Sequence, residues 1–218
     1  MISVIIPAYN EEKYLEKTLL SIEHQAFPRE VIVVANGCTD STVEIARKYA
    51  DRIFKVNIPS ASLARNIGAQ HASGDILVFL DADTRLAKNA LDEVSKQFKD
   101  AAVATLQAHP NASKLFFKVI NAGKNFLHSY GLYAGSSGVI ITSKALFNKV
   151  HGFNLQHIAE TSSFIKKLSA FGAYKVIANT HAVTSTRRYE KWGVARTAVF
   201  WIVNRWILGR DVKYEAVR

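Results

Sequence analysis

Ile76-Leu77-Val78-Phe79-Leu80-Asp81-Ala82-Asp83 is the stretch on which the fold turns: five apolar residues run directly into two carboxylates separated by one alanine. The apolar run predicts a buried strand. Three more such runs precede it, Ser3 to Ile6, Val31 to Val34 and Ile53 to Val56. Between them Glu11 to His24, Asp40 to Tyr49 and Ala61 to Ala72 carry helical spacing, as in Tyr14, Leu15, Thr18, Leu19 and Ile22. Strands alternating with amphipathic helices predict βαβ units, hence a Rossmann-like α/β fold with a mixed, mostly parallel sheet flanked by helices. Thr39 or Asp40 is placed to cap the second helix, and Ser60 or Ser62 the third.

The second half is less regular. Val103 to Leu106 reads as a strand, Lys114 to His128 as an amphipathic helix, and Ser137 to Thr142 as a strand entered through Gly135-Ser-Ser-Gly138. Ala159 to Phe171 reads as a helix stopped by Gly172 in a left-handed conformation. No repeat or proline-rich linker divides the chain. One domain is therefore expected over 1–190, its nucleotide-binding half about 1–108 and its acceptor half about 109–190, with a basic, aromatic helix and tail over 191–218.

The 218 residues are 49% hydrophobic, enough for a proper core, and carry a net charge of +10. That charge attracts polyanions without choosing among them. From Arg187 onward, eight basic side chains face three acidic ones. Cys38 is the single cysteine, so no internal disulfide forms, and a small residue near a turn is expected there. The N-terminus has no basic leader, and Thr197 to Leu208 is too short to cross a bilayer. A cytoplasmic protein is expected, with peripheral contact on the inner face of the plasma membrane if the Trp192 to Leu208 segment lies on anionic lipid; docking onto its own domain is the alternative.

In a doubly wound sheet, ligands sit beyond the C-terminal ends of the strands. Those ends are polar here: Pro7-Ala-Tyr-Asn-Glu-Glu12, Ala35-Asn-Gly-Cys-Thr-Asp40 and Asp81-Ala-Asp83. Two carboxylates held so close call for a compensating cation, and hard oxygen ligands suit Mn²⁺ or Mg²⁺, which can also bridge to nucleotide phosphates.

The segments Ser3-Val-Ile-Ile-Pro-Ala-Tyr-Asn-Glu-Glu12, Asn36-Gly-Cys-Thr-Asp40, Ala64-Arg-Asn-Ile-Gly68 with Ser73-Gly-Asp75, and Phe79-Leu-Asp-Ala-Asp83 resemble, in order and spacing, the family two glycosyltransferases of the A-type fold. The resemblance implies a metal-dependent, inverting transfer of one sugar from a nucleotide diphosphate sugar to a lipid-linked (lipid-phosphate) or saccharide acceptor of a cell-envelope glycan. It implies that Pro7, Ala8, Tyr9, Glu11 and Asn36 line the base and ribose pocket and that Arg65 and Asn66 face the nucleotide. Asp81, Ala82 and Asp83 would hold nucleotide and metal, Asp83 as the likelier direct ligand.

Departures from the family pattern matter as much. Many relatives carry acids where Ala35 and Asn36 stand, which leaves the base open. Where inverting members present Glu-Asp before the acceptor-side helix, this chain reads Ala159-Glu160-Thr161, so Glu160 is the remaining candidate base, unless the acceptor is an ionised phosphate that needs none. Arg187 and Arg188 are candidates to grip an acceptor phosphate. The rival readings are weaker. A non-catalytic sugar-nucleotide-binding protein is encouraged by Asn36 and Thr161. A nucleotidyltransferase would open with a glycine-rich basic loop that Pro7 to Glu12 lacks, and nucleic-acid binding has charge alone behind it, so no nucleic-acid partner is expected.

Overall fold

The structure is a computed structural model that describes residues 1–112, 117, 119, 121–123, 125–126, 136, 138–155 and 160–193. Its elements are β1 (Ile2–Ala8), α1 (Leu15–Glu23), β2 (Arg29–Asn36), α2 (Thr42–Tyr49), β3 (Arg52–Val56), α3 (Ala61–His71), β4 (Ile76–Leu80), β5 (Thr84–Leu86), α4 (Ala90–Gln97) and β6 (Ala101–Pro110). Helical residues within 117–126 form α5. The chain continues through β7 (Val139–Ser143), α6 (Lys144–Lys149), α7 (Glu160–Ser169), β8 (Ala173–Thr184) and α8 (Arg187–Trp192).

The eight strands among the described residues share one sheet in the order β3-β2-β1-β4-β7-β6-β8-β5. The first four are parallel, as the alternation of strands and helices predicts. β7 then runs antiparallel to β4 and to β6, β8 is parallel to β6, and β5 closes the edge antiparallel to β8. Four of seven pairings are parallel, so the sheet is mixed.

Because strand side chains alternate faces, β1 feeds two cores. Val4 and Ile6 pack with Leu15, Leu19 and Ile22 of α1 on one side. Ile5 and Phe79 pack on the other with Ala64 of α3 and with Phe147, Phe153 and Phe164. Phe79 meets Phe153 edge-on at 5.0 Å, and Phe153 stacks on Phe164 at 3.9 Å. This aromatic cluster anchors α7 beneath the parallel half, and Glu160 lies one turn before Phe164 on the same helical face. The approach of α3 depends on Gly68, where any Cβ would run into Ile5 Cγ2.

Several boundaries differ from expectation. Residues 12–14 form a turn before α1, so the helix begins at Leu15, four residues later than its apolar spacing predicts. Gly172 has φ 158°, close to extended, so the chain leaves α7 through a turn into β8 and not through a left-handed cap. β5 and β8 were not anticipated. Ser60 caps α3 as expected, accepting from Leu63 N at 3.3 Å, and Asp40 Oδ1 accepts from Thr42 N at 3.1 Å at the start of α2. Among the described residues no helix is long and apolar enough to cross a membrane. The Thr197 to Leu208 segment, nearly all of the 191–218 tail, and the ends of the Lys114 to His128 helix lie outside the described residues.

Candidate active site at the switch point of the sheet

β1 is followed outward on one side by β2 and β3, while β4 returns to its other side, so the topological switch point falls between β1 and β4. The two strands part early there. Their pairing ends at Ile5↔Phe79, whereas β1 stays on β2 as far as Ala8↔Ala35. Pro7 has no N–H to donate and sits past the end of the β4 pairing, where the loss costs little.

The loops after β1 and β2 are sewn together. Asn10, at φ 53°, accepts from Thr39 N at 2.8 Å. Glu12 N donates to Asp40 Oδ2 at 3.1 Å, Ser41 N to Glu12 Oε2 at 3.2 Å, and Glu11 N to Thr42 Oγ1 at 2.7 Å. A cavity of about 190 Å³ opens among Asn10, Glu12, Lys13, Tyr14 and Asp40.

Four carboxylates from three segments meet two guanidiniums at this place. Arg187, the first residue of α8, grips Glu11 with two bonds of 2.7 Å, reaches Asp83 Oδ2 with Nε at 3.0 Å, and lies 4.6 Å over the Tyr14 ring. Arg65 of α3 donates to Asp81 Oδ1 at 2.9 Å and Glu160 Oε1 at 3.3 Å, and lies 5.3 Å over the Phe153 ring. Burial pushes the Asp83 carboxyl up to about 6; Arg187 and Arg188 pull it down, while the charges of Asp81 and Glu11 add to the rise. Burial works against the charge of Arg187 too, but the Glu11 hydrogen bonds and the Asp83 charge outweigh it and hold the guanidinium protonated. Asp81 and Glu160 do the same for buried Arg65.

The remaining expected residues fall as follows. Ala8 and Ala82 are buried, and the Ala82 carbonyl accepts from Thr18 Oγ1 at 2.8 Å, which ties the aspartate loop to α1. Pro7 and Tyr9 are half-buried at the end of β1. Asn36 is buried at the tip of β2, and its Oδ1 has no hydrogen-bond partner among the described residues. Such an orphan acceptor is costly unless a ligand donates to it. The Asn66 amide is committed to the Phe153 backbone, donating to its carbonyl and accepting from its N–H, both at 2.9 Å, so it pins the loop ahead of α7. Arg188 is half-buried beside Arg187 and acts on Asp83 through its charge. Cys38 lies in the loop between β2 and α2, and its thiol donates to Ala8 O at 3.2 Å.

Tyr14 and the linkage of Arg187 to Glu11 escaped sequence reading. The two partners are 176 residues apart, and no local pattern joins them. Among the described residues no three His, Cys, Asp or Glu side chains form a metal cage. The available donor set is the hard carboxylate oxygens of Asp81 and Asp83, which fits a cation that takes one or two protein carboxylates and completes its shell with phosphate and water.

A parallel half with carboxylates at its switch point, continued by a strand-and-helix extension that folds Glu160 and Arg187 over them, defines the A-type fold of nucleotide-diphospho-sugar transferases. The chain belongs to glycosyl transferase family 2, whose model matches residues 3–151. Among curated relatives it is 32% identical over 128 residues to the poly(ribitol-phosphate) beta-N-acetylglucosaminyltransferase TarS of Staphylococcus aureus, a match covering 55% of this chain and 21% of that protein. It is 26% identical over 224 residues to the putative teichuronic acid biosynthesis glycosyltransferase TuaG of Bacillus subtilis, covering 94% of this chain and 87% of that one. Among solved structures, TarS 1-349 in complex with UDP-GlcNAc superposes with TM-score 0.69 at 23% identity over 85% of this chain and 58% of that one. The mannosyltransferase PcManGT of Pyrobaculum calidifontis, in complex with GDP-Man and Mn²⁺, superposes with TM-score 0.70 at 24% identity over 88% and 59%.

Proposed function

We propose that the chain is a glycosyltransferase that moves one sugar from a nucleotide diphosphate sugar to a lipid-linked or saccharide acceptor, with inversion at the anomeric carbon and with a divalent cation, Mn²⁺ or Mg²⁺, at Asp81 and Asp83. The observation that carries this reading is the pairing, at one switch point, of a buried orphan acceptor on β2 with a carboxylate pair on β4. One strand lies between them, so the two tips stand about 10 Å apart at about 4.8 Å per strand step. The base would donate to Asn36 Oδ1, with Tyr9 and Glu11 beside it, and the diphosphate would lie toward Asp81 and Asp83.

The cation, when bound, neutralises charge on the departing diphosphate. Arg187 and Arg65 are already in place to trade part of their carboxylate contacts for phosphate oxygens, which guanidinium groups bind bidentately. Glu160, brought beside Asp81 through Arg65, is the residue that takes the proton of an acceptor hydroxyl; a phosphate acceptor would make that step unnecessary. Asn66 acts at one remove by holding the Phe153 loop from which α7 presents Glu160. The basic, tryptophan-bearing C-terminal segment is the proposed peripheral membrane contact. The relatives lend support: TarS carries a glycosyltransferase name and was solved with UDP-GlcNAc, and PcManGT was solved with GDP-Man and Mn²⁺.

The test is a thermal-shift panel of nucleotide diphosphate sugars with and without Mn²⁺, followed by product analysis for the best binder. One donor should stabilise the chain only with the cation, Asp83→Ala should abolish the effect, and a transferred sugar should appear. Equal stabilisation in chelator refutes the metal role. Binding without hydrolysis or transfer in the presence of acceptors favours a non-catalytic sugar-nucleotide binder.

A further inference from the structure

A second opening, a groove of about 440 Å³, lies between α1 and the β5–β8 edge of the sheet. Lys17 and His24 of α1, Arg85 of β5, Lys88 just beyond it and His181 of β8 make up five of its ten lining residues, and none of the ten is acidic. Some exposed cations elsewhere are paired, as Lys96 is with Asp92 and Glu93 and Arg47 is with Glu44. Lys17, Arg85 and Lys88 form no ion pair with any described carboxylate. Like charges gathered in a concave site repel one another and concentrate anions there.

The groove is built on a rigid floor. Leu86 N donates to Ser21 Oγ at 3.0 Å, and Gln25, buried at the end of α1, donates to Ala87 O at 2.9 Å while accepting from Leu91 N at 3.0 Å. The register Arg85↔Val183 puts Arg85 and Val183 on one sheet face, while Thr84 and Leu86 turn into the core. His181 is braced by stacking on His109 at 4.2 Å.

Along the chain the groove starts close to the candidate active site. β5 starts at the residue after Asp83, so Arg85 stands about 7 Å along the chain from it at about 3.3 Å per residue. β8 ends three residues before Arg187. An anionic membrane is a poor occupant, because Met1, Ile58, Val119, Phe126, Leu155 and Phe171, the large apolar side chains exposed among the described residues, all lie away from the groove and give it no anchor. Nucleic acid is no better, since among the described residues no Phe, Tyr or Trp lines the groove to stack a base.

We propose that this groove binds an anionic glycan chain, the acidic units of the acceptor bearing phosphate or carboxylate groups, and holds it with its reacting end toward Asp83. The binding claim rests on the groove alone; what the chain is held there to receive rests on the transferase reading.

The experiment measures binding of labelled oligomers to the full chain by fluorescence anisotropy at fixed ionic strength. The probes are an oligo(glycerol phosphate), an oligogalacturonate, a neutral dextran oligomer of equal length, phosphatidylglycerol vesicles and single-stranded DNA. At least one acidic oligomer should bind at least tenfold more tightly than dextran, and which one does identifies the charged group. A Lys17→Ser, Arg85→Ser, Lys88→Ser triple variant should lose at least tenfold of that affinity, while Lys17→Arg with Lys88→Arg keeps it. If the triple variant loses its melting transition, the single variants Lys17→Ser and Lys88→Ser are each expected to weaken binding about threefold.

Acidic oligomers that bind no better than dextran, variants that bind as well as the parent, or a loss confined to vesicles or DNA each overturn the proposal. Nucleotide-sugar binding is read in parallel and should be unchanged in the triple variant. Its absence from the parent chain, with oligomer binding intact, would sink the transferase reading and leave the groove standing.

Discussion

Replacing Asp83 with asparagine should stabilise the metal-free protein above pH 6 while destroying its response to donor and cation. Asparagine keeps the side-chain shape and an oxygen acceptor for Arg187 Nε, so the change isolates the charge. The Asp83 side chain is 19% exposed, and burial, with Asp81 and Glu11 nearby, raises its carboxyl from 3.8 to about 6 in spite of Arg187 and Arg188. Between those two values the folded chain binds more protons than the unfolded chain, so stability falls as pH rises through that window. Below about pH 4 both states are protonated and the penalty vanishes; above about pH 6 it is fully present. A shift of about two units corresponds to about 3 kcal/mol at 1.36 kcal/mol per unit. For a chain of this length that is roughly 6–12 °C in Tm. The assay is thermal unfolding of parent and Asp83→Asn in chelator at half-unit steps from pH 4 to 8. The two curves should coincide at the acid end and separate toward pH 8, with the variant higher. A variant that melts lower at pH 8, or an offset that does not change with pH, would refute the account of a carboxylate kept under strain for binding.

Arg187→Ala leaves Glu11 and Asp83 without their shared partner and should cost about 3 kcal/mol in urea unfolding at neutral pH; Arg187→Lys, which cannot grip Glu11 bidentately, should recover only part. Adding Glu11→Gln to Arg187→Ala should return some of the loss, and strict additivity of the two changes would contradict the coupling. Asn36→Ala removes the orphan acceptor, so Tm should hardly fall while nucleotide affinity by calorimetry drops about tenfold, roughly 1.4 kcal/mol; unchanged affinity would remove Asn36 from the base pocket. Gly68→Ala drives a methyl group against Ile5 Cγ2, with Val34 Cγ2 at 3.4 Å, and should cost about 1–3 kcal/mol in urea unfolding. Undiminished stability there would mean that α3 shifts freely off β1.

The parallel half was legible because its information is local. Five apolar residues at Ile76–Leu80 followed by two acids, with helical spacing between earlier runs of the same kind, specify strand, tip and helix within windows of a dozen residues. The position of functional groups just past strand ends followed from the same pattern, and the Ser60 cap from one residue type before an amphipathic run. The antiparallel extension was harder to read. β5 has three residues, and β8 buries only some of its twelve in an irregular pattern, so neither carries a clean period of two.

What sequence alone determined, then, is the order of βαβ units and the chemistry offered at each strand tip, since both depend on residues that are neighbours along the chain. Tertiary structure alone decided who meets whom. Arg187 grips Glu11 and Asp83 because β8 and β5 pair at the sheet edge; Arg65 bridges Asp81 and Glu160 because Phe164 anchors α7 under the sheet; and Asn66 is drawn to Phe153 by the same aromatic packing. The physical reason is that packing and ion pairing are short-ranged in space and indifferent to distance along the chain, so a contact spanning 176 residues leaves no trace in local periodicity.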